Sequence, residues 1–271
     1  MKFIDKLKKS IKKNRSYLSV GLDPDLEKIP KHLLKSSDPV FLFNKAIITN
    51  TADLVCAFKP QIAFYEGMGI KGLEALKKTI DFISKNYPGL PIILDAKRGD
   101  IDSTNLGYVK MAFEWLGVDA ITVHPYLGKE SLTAFLEQKD KLFFILCKTS
   151  NKGAGEFQDL KVNGKQPLYQ YVAHKVVKEW NYNKNCGLVV GATYPKELQI
   201  AKKIAGDLPF LIPGIGSQGG DLEKTVKAIK GSIFVINSSR SIIYAGHGKD
   251  FAQAARAEAL KLKDQINHFL Q

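Results

Sequence analysis

Short apolar runs alternate with longer amphipathic stretches along the whole chain. The runs lie at 17–22, 54–58, 92–94, 120–123, 142–147, 188–190, 210–212 and 233–236. They are continuously apolar rather than alternating, which is the pattern of parallel strands covered on both faces. Between them, helical spacing runs roughly over 39–51, 66–86, 103–116, 129–138, 167–180, 195–204 and 221–230, and a last stretch at 251–269 follows the eighth run. Ser37-Asp38-Pro39 and Tyr194-Pro195 read as helix starts, and Tyr87-Pro88-Gly89 as a stop. Eight strand–helix units in 271 residues predict a (β/α)8 TIM barrel, one α/β domain spanning 1–271. A doubly wound open sheet is the alternative on strand count. The one long connection without a pattern of its own runs from 149 to 166, a length more often functional than idle.

In a barrel the chemistry collects just past the C-terminal ends of the strands. Strand one runs into Gly21-Leu22-Asp23-Pro24-Asp25, and strand two into Phe58-Lys59-Pro60-Gln61. Strand three leads through Pro91–Leu94 into Asp95-Ala96-Lys97-Arg98-Gly99-Asp100-Ile101. Residues two apart on a strand share a face, so Asp95 and Lys97 should project together, with Asp100 past the strand end. An ammonium between carboxylates stays protonated, a poor base but a good clamp for a carbanion and a good proton donor to one. A surface charge cluster in a turn is the plainer reading of the eight residues from Leu94 to Ile101. Lysine and aspartate on consecutive strand ends favour a site.

After strand seven come Pro213-Gly214-Ile215-Gly216-Ser217-Gln218-Gly219-Gly220-Asp221, and after strand eight Asn237-Ser238-Ser239-Arg240. The four glycines let backbone amides approach a ligand, and Arg240 can fork onto phosphate oxygens, where barrels often hold phosphate. Ser150 has no predicted histidine partner, no dinucleotide fingerprint follows strand one, and no carboxylate cluster of metal type occurs without an adjacent lysine. The chemistry is lysine–aspartate work on a phosphorylated substrate without an evident cofactor.

Composition narrows the alternatives. Apolar content of 45% with 25% charged residues is that of a globular domain, and no stretch nears the ~18 consecutive apolar residues of a membrane helix. A formal charge of +13 points to anionic partners, but the lysines are scattered, and no basic block of nucleic-acid type follows residue 15. The N-terminus carries Lys2, Lys6, Lys8, Lys9, Lys12, Lys13 and Arg15 around Phe3, Ile4, Leu7 and Ile11. It lacks the apolar segment of a secretory signal and reads as a helix capping one end of the domain. Cys56, Cys147 and Cys186, each beside an apolar run, read as core residues in a reducing, cytoplasmic setting.

The motif Asp95-Ala96-Lys97-Arg98-Gly99-Asp100-Ile101 resembles the orotidine 5′-phosphate decarboxylase family, in the branch carrying that strand-three sequence. So do Val20–Asp25, Phe58-Lys59-Pro60, His124-Pro125-Tyr126-Leu127-Gly128, Val190-Gly191-Ala192-Thr193, 213–221 and Ser239-Arg240, in that order. The resemblance implies decarboxylation of orotidine 5′-monophosphate (OMP) to UMP in a homodimer with shared sites, without metal or organic cofactor. It implies Lys97 as proton donor to C6, Asp95 beside the departing carboxylate, and Lys59 and Asp23 on the ribose hydroxyls, with Lys59 continuing the charge network. It further implies Asp100 reaching the partner's site with Ile101 and Thr104 nearby, Ser150 on the pyrimidine, and Gln218 and Arg240 on the phosphate. A magnesium-dependent sugar-phosphate decarboxylase or synthase of the same superfamily shares the strand-three motif. There a metal-binding glutamate ends strand two, where this chain has Lys59. A basic nucleic-acid-binding protein is the rival of a different class.

Overall fold

The computed structural model describes residues 1–216 and 219–271. Eight parallel strands form one sheet: β1 Leu18–Leu22, β2 Ala57–Pro60, β3 Ile93–Arg98, β4 Ala120–Val123, β5 Leu142–Lys148, β6 Cys186–Val190, β7 Phe210–Pro213 and β8 Phe234–Ser238. The spatial order is β2-β1-β8-β7-β6-β5-β4-β3. Bridges from Phe58 to Ile92 and from Gln61 to Asp95 bring the first strand of that order against the last, so the sheet curls into a barrel rather than staying open. Helices cross between successive strands, as parallel connections require.

Period two along the strands divides their residues cleanly. Phe58, Leu94, Ile121, Ile145, Leu188, Ile212 and Ile236 face outward and pack with the helices in the main core. Ala57, Ile93, Ala120, Phe144, Val189, Leu211 and Val235 face inward and form a second cluster with Phe3 and Leu7. Those two belong to the N-terminal helix Phe3–Asn14, which seals the N-terminal mouth of the barrel. The Phe3 ring meets Phe144 edge to face at 5.9 Å. Lys6 pairs with Asp119 at 2.8 Å, and the Asn14 amide donates to the carbonyls of Ala52 and Val55. The basic face is therefore the solvent side of a packed cap.

The strands run further into the charged segments than the apolar runs imply. β2 starts at Ala57 rather than at 54 and carries Lys59 inside it, and β3 continues to Arg98. Hydrophobicity marks where a strand is buried, whereas pairing continues wherever a neighbour offers its backbone. The helix expected over 66–86 breaks at Gly67-Met68-Gly69 into Ile62–Glu66 and Gly69–Asn86, and that over 129–138 into two single turns. The 149–166 connection holds a short helix, Gly155–Gln158, and a hairpin pairing Lys161–Val162 with Gln166–Pro167. Its turn residues Asn163 and Gly164 both adopt positive φ, the Asn-Gly signature of a tight hairpin. The three cysteines are free and buried, and burial pushes the thiols of Cys147 and Cys186 up to about 12. No helix among the described residues is long and apolar enough to cross a membrane.

Candidate active site

Two residues beyond the inward apolar layer, the same strand faces turn polar. Ala57 is followed at i+2 by Lys59, Ile93 by Asp95, Ala120 by Thr122 and Val235 by Asn237. All four second members line a cavity of about 540 Å³ at the C-terminal mouth. Asp23, Lys97, Thr149, Ser150, Ser239 and Arg240 add to its charged and hydroxyl lining, and Phe64, Leu146, Pro213 and Ile215 are among its apolar walls. A larger groove of about 800 Å³, between the helix Leu168–Lys175 and the loop after β4, contains none of the strand-end charges.

Asp95 is the centre of the charge arrangement. Its Oδ2 lies 2.8 Å from Lys59 Nζ and its Oδ1 2.6 Å from Lys97 Nζ. Burial alone would raise this carboxyl. Attraction to Lys59 and Lys97, with their hydrogen bonds, outweighs burial and holds it well below the usual carboxylate range. Desolvation likewise opposes the Lys59 charge, but Asp95 and Asp23 together push its pKa up. For Asp23 burial wins: its carboxyl is raised, against the pull of Lys59 and a hydrogen bond with Ser239. Asp23 Oδ1 is buried with no hydrogen-bond partner among the described residues, and the same holds for Asn237 Oδ1. Two orphan acceptors on the cavity wall fit a ligand that brings hydroxyl donors. Lys97, by contrast, is about half exposed, the accessible end of the array.

The strand holds Lys97 in an unusual way. Its φ is +48°, left-handed backbone that costs a non-glycine residue roughly 1–2 kcal/mol. Pairing of β3 with β4 slips between Leu94 and Arg98 at the same place. Asp95 and Lys97 do meet, then, but through a bulge rather than the regular alternation expected of them. Thr122 pins that bulge. Its Oγ1 accepts from the amides of Ala96 at 3.0 Å and Lys97 at 2.9 Å, and donates to Asp95 Oδ1 at 2.9 Å. One hydroxyl thus uses its single donor and both acceptor positions. Outside the barrel, Arg98 braces the same turn through the Ala96 carbonyl, Glu66 and the face of Tyr108.

Of the residues singled out from the sequence, Asp23, Lys59, Asp95, Lys97, Ser150 and Arg240 converge on the cavity. Asp100, Ile101 and Thr104 do not line it. They follow Gly99 onto the rim, where Asp100 accepts from its neighbour's amide and Ile101 is 57% exposed. Gln218 lies outside the described residues. The glycine loop is put to partly different use than the sequence implies. The Gly219 and Gly220 amides donate within the loop, to Gly216 and Gly214, and Asp221 caps its own helix at Lys224. Gly216 is needed for closeness, since a Cβ there would sit 2.7 Å from Ser241 Oγ. Thr122, Phe64 and Asn237 were missed. For Thr122 and Asn237 the signal was available, because each stands two residues after an inward apolar position.

Residues 16–257 match the model of the Orotidine 5′-phosphate decarboxylase / HUMPS family. The chain is 50% identical over 272 residues to an orotidine 5′-phosphate decarboxylase of Cellvibrio japonicus, covering 98% of each chain. Among solved structures it is similar to Leishmania donovani OMP decarboxylase, with a TM-score of 0.86, 38% identity and coverage of 100% of this chain and 99% of that one. It is also similar to Leishmania donovani UMP synthase, with a TM-score of 0.89 and 40% identity, where it spans all of its own length but 57% of that longer chain.

Proposed function

The chain belongs to the orotidine 5′-phosphate decarboxylase / HUMPS family and decarboxylates OMP to UMP; we propose that Lys97 delivers the proton that completes the reaction. The C6–carboxylate bond breaks, CO2 leaves, and the electron pair stays on C6 as a localised carbanion without π-delocalisation. A proton passes from Lys97 Nζ to C6, leaving a neutral amine that solvent reprotonates. The observation that carries this reading is the Lys59–Asp95–Lys97 array, in which a carboxylate held ionised fixes an accessible ammonium against the cavity. A fixed cation facing developing negative charge needs little reorganisation during the reaction, which is where most of its advantage over water lies. Asp95 would face the departing carboxylate, and Asp23 and Lys59 the ribose hydroxyls. Ser150 would contact the pyrimidine, and Arg240 and Gln218 the phosphate, whose remote binding orients the ring.

The sugar-phosphate reading within the same family is disfavoured by one contact. Lys59 Nζ stands 2.8 Å from Asp95, a cation where a divalent metal would need a carboxylate neighbour. Purified protein in chelator-containing buffer should therefore convert OMP, followed by its absorbance change, at the rate seen with added magnesium. Turnover only with magnesium would sink the assignment.

We also propose a homodimer working in the cytoplasm, with Asp100, Ile101 and Thr104 serving the partner's cavity. Their position on the rim supports this, as do exposed Tyr126 and Leu127 on the adjacent loop after β4. Mixing Lys97→Ala with Asp100→Ala subunits, each inactive alone, should restore roughly a quarter of wild-type activity on random pairing. A verified heterodimer without recovery counts against the shared site.

A further inference from the structure

Lys148 is the one strand-end ammonium that the reaction leaves unused, and it is 0% exposed. Period two would aim it into the cavity with Leu146. Instead the pairing of β5 with β6 slips between Leu146 and Lys148, and Lys148 turns away beneath the 149–166 connection. There its Nζ lies 2.6 Å from Asp159 Oδ1, and 4.6 Å and 5.8 Å from the ring centres of Tyr194 and Tyr169. A buried charge is tolerated only while its partners hold, so this contact ties the connection down.

The segment tied down is the one that faces the ligand. Thr149, Ser150 and Asn151 follow Lys148 directly and line the cavity. From one side Gln158, next to Asp159, accepts from the Thr149 amide at 2.9 Å and donates to its hydroxyl at 2.8 Å. From the other, Thr193 donates to the Ser150 carbonyl and Tyr194 to the Asn151 carbonyl. Between them Gly191 lets the strand-six loop press against the segment: a Cβ there would lie 2.6 Å from Ser150 Cβ.

We propose that Lys148 is a positioning residue: its ion pair with Asp159, under the Tyr194 ring, latches the 149–151 segment so that Ser150 meets the pyrimidine base. This rests on the reading of Ser150 as a base contact. The latch should act on the base end of the substrate alone, because Arg240, the proposed phosphate contact, follows β8, three strands along the sheet from β5. Asp159→Asn should therefore weaken UMP binding by roughly tenfold. Affinity for ribose 5-phosphate, which lacks the base, should stay within about twofold of wild type. Loss of general stability would not separate the two ligands. The double variant Lys148→Met/Asp159→Asn removes the stranded charge but also the ion pair, so it should keep the base-selective loss; full recovery of UMP affinity would assign the loss to the stranded charge and overturn the latch. Tyr194→Phe keeps the ring over Lys148 but loses the Asn151 bond. It should show the same base-selective loss in weaker form; Lys148→Met, which leaves only the half-exposed Asp159 unpaired, decides the matter if Asp159→Asn does not fold. Equal losses for both ligands, or none, would overturn the latch, provided Ser150→Ala shows the base-selective loss. If Ser150→Ala leaves UMP binding unchanged, the base contact and the latch fall together. Decarboxylation by the wild-type protein, measured alongside, reports separately on the catalytic assignment.

Discussion

Lys97→Ala should lower OMP decarboxylation by roughly 10⁴-fold or more while the protein stays folded and still binds UMP. Two contributions disappear at once. Proton donation by a placed acid is worth about 10²–10⁴-fold, and a fixed charge opposite a developing anion about 10²–10³-fold. Removing the side chain should cost the fold little, because Lys97 is half exposed and its φ of +48° is imposed by Thr122 and the neighbouring strand rather than by its own packing. Single-turnover kinetics with a UMP titration separates these effects. A variant within tenfold of wild-type rate would remove Lys97 from the proton-donor role. If UMP affinity collapsed together with the rate, Lys97 would be a binding residue instead.

Lys59→Met is expected to act first on stability, by about 3–5 kcal/mol near neutral pH. Lys59 is 3% exposed, and its loss takes the strongest attraction from buried Asp23 and leaves Asp95 with Lys97 as its one ammonium. The pH dependence carries the sign. Asp95 is held below its unfolded value near 3.9, so its contribution is fully present above that pH and fades as pH falls through the lower folded value. The Lys59 charge, raised in the fold, contributes fully at every pH well below its unfolded value near 10.4. The gap between wild type and variant should therefore be widest from about pH 6 to 8. It should narrow on acidification, with Asp23, already raised by burial, neutralising first. Urea midpoints from pH 3 to 8 test this. A gap that is constant with pH would mean that lost packing, not stranded charge, is the cause.

The barrel was legible because eight apolar runs and the amphipathic segments between them state both which residues are buried and how far apart they lie. The charged strand ends were legible for the same reason, since Lys59 and Asp95 continue a face that Ala57 and Ile93 begin. The place of Thr122 on the cavity face is legible from its spacing after Ala120, but its role is not. A threonine after two apolar strand residues looks like ordinary strand composition, and its importance lies in three hydrogen bonds to a different strand. In the sequence Lys148 is simply the lysine that closes the apolar run at 142–147. Only the slip in β5 pairing shows that it leaves the cavity and anchors a loop.

The motif from Asp95 to Ile101 shows where the division falls. Residue types and spacing alone determined that carboxylates and an ammonium gather at one strand end, and that a glycine separates Asp100 from the rest. They determined the family resemblance as well, because side-chain chemistry and order along the chain are local properties. Tertiary structure decided that Lys97 projects from a left-handed bulge pinned by Thr122, and that Asp95 is gripped from both sides. It also decided that Asp100 and Ile101 stand on the rim outside their own cavity. Those outcomes depend on neighbouring strands meeting in register and on charges buried together, and both exist only once the barrel has closed.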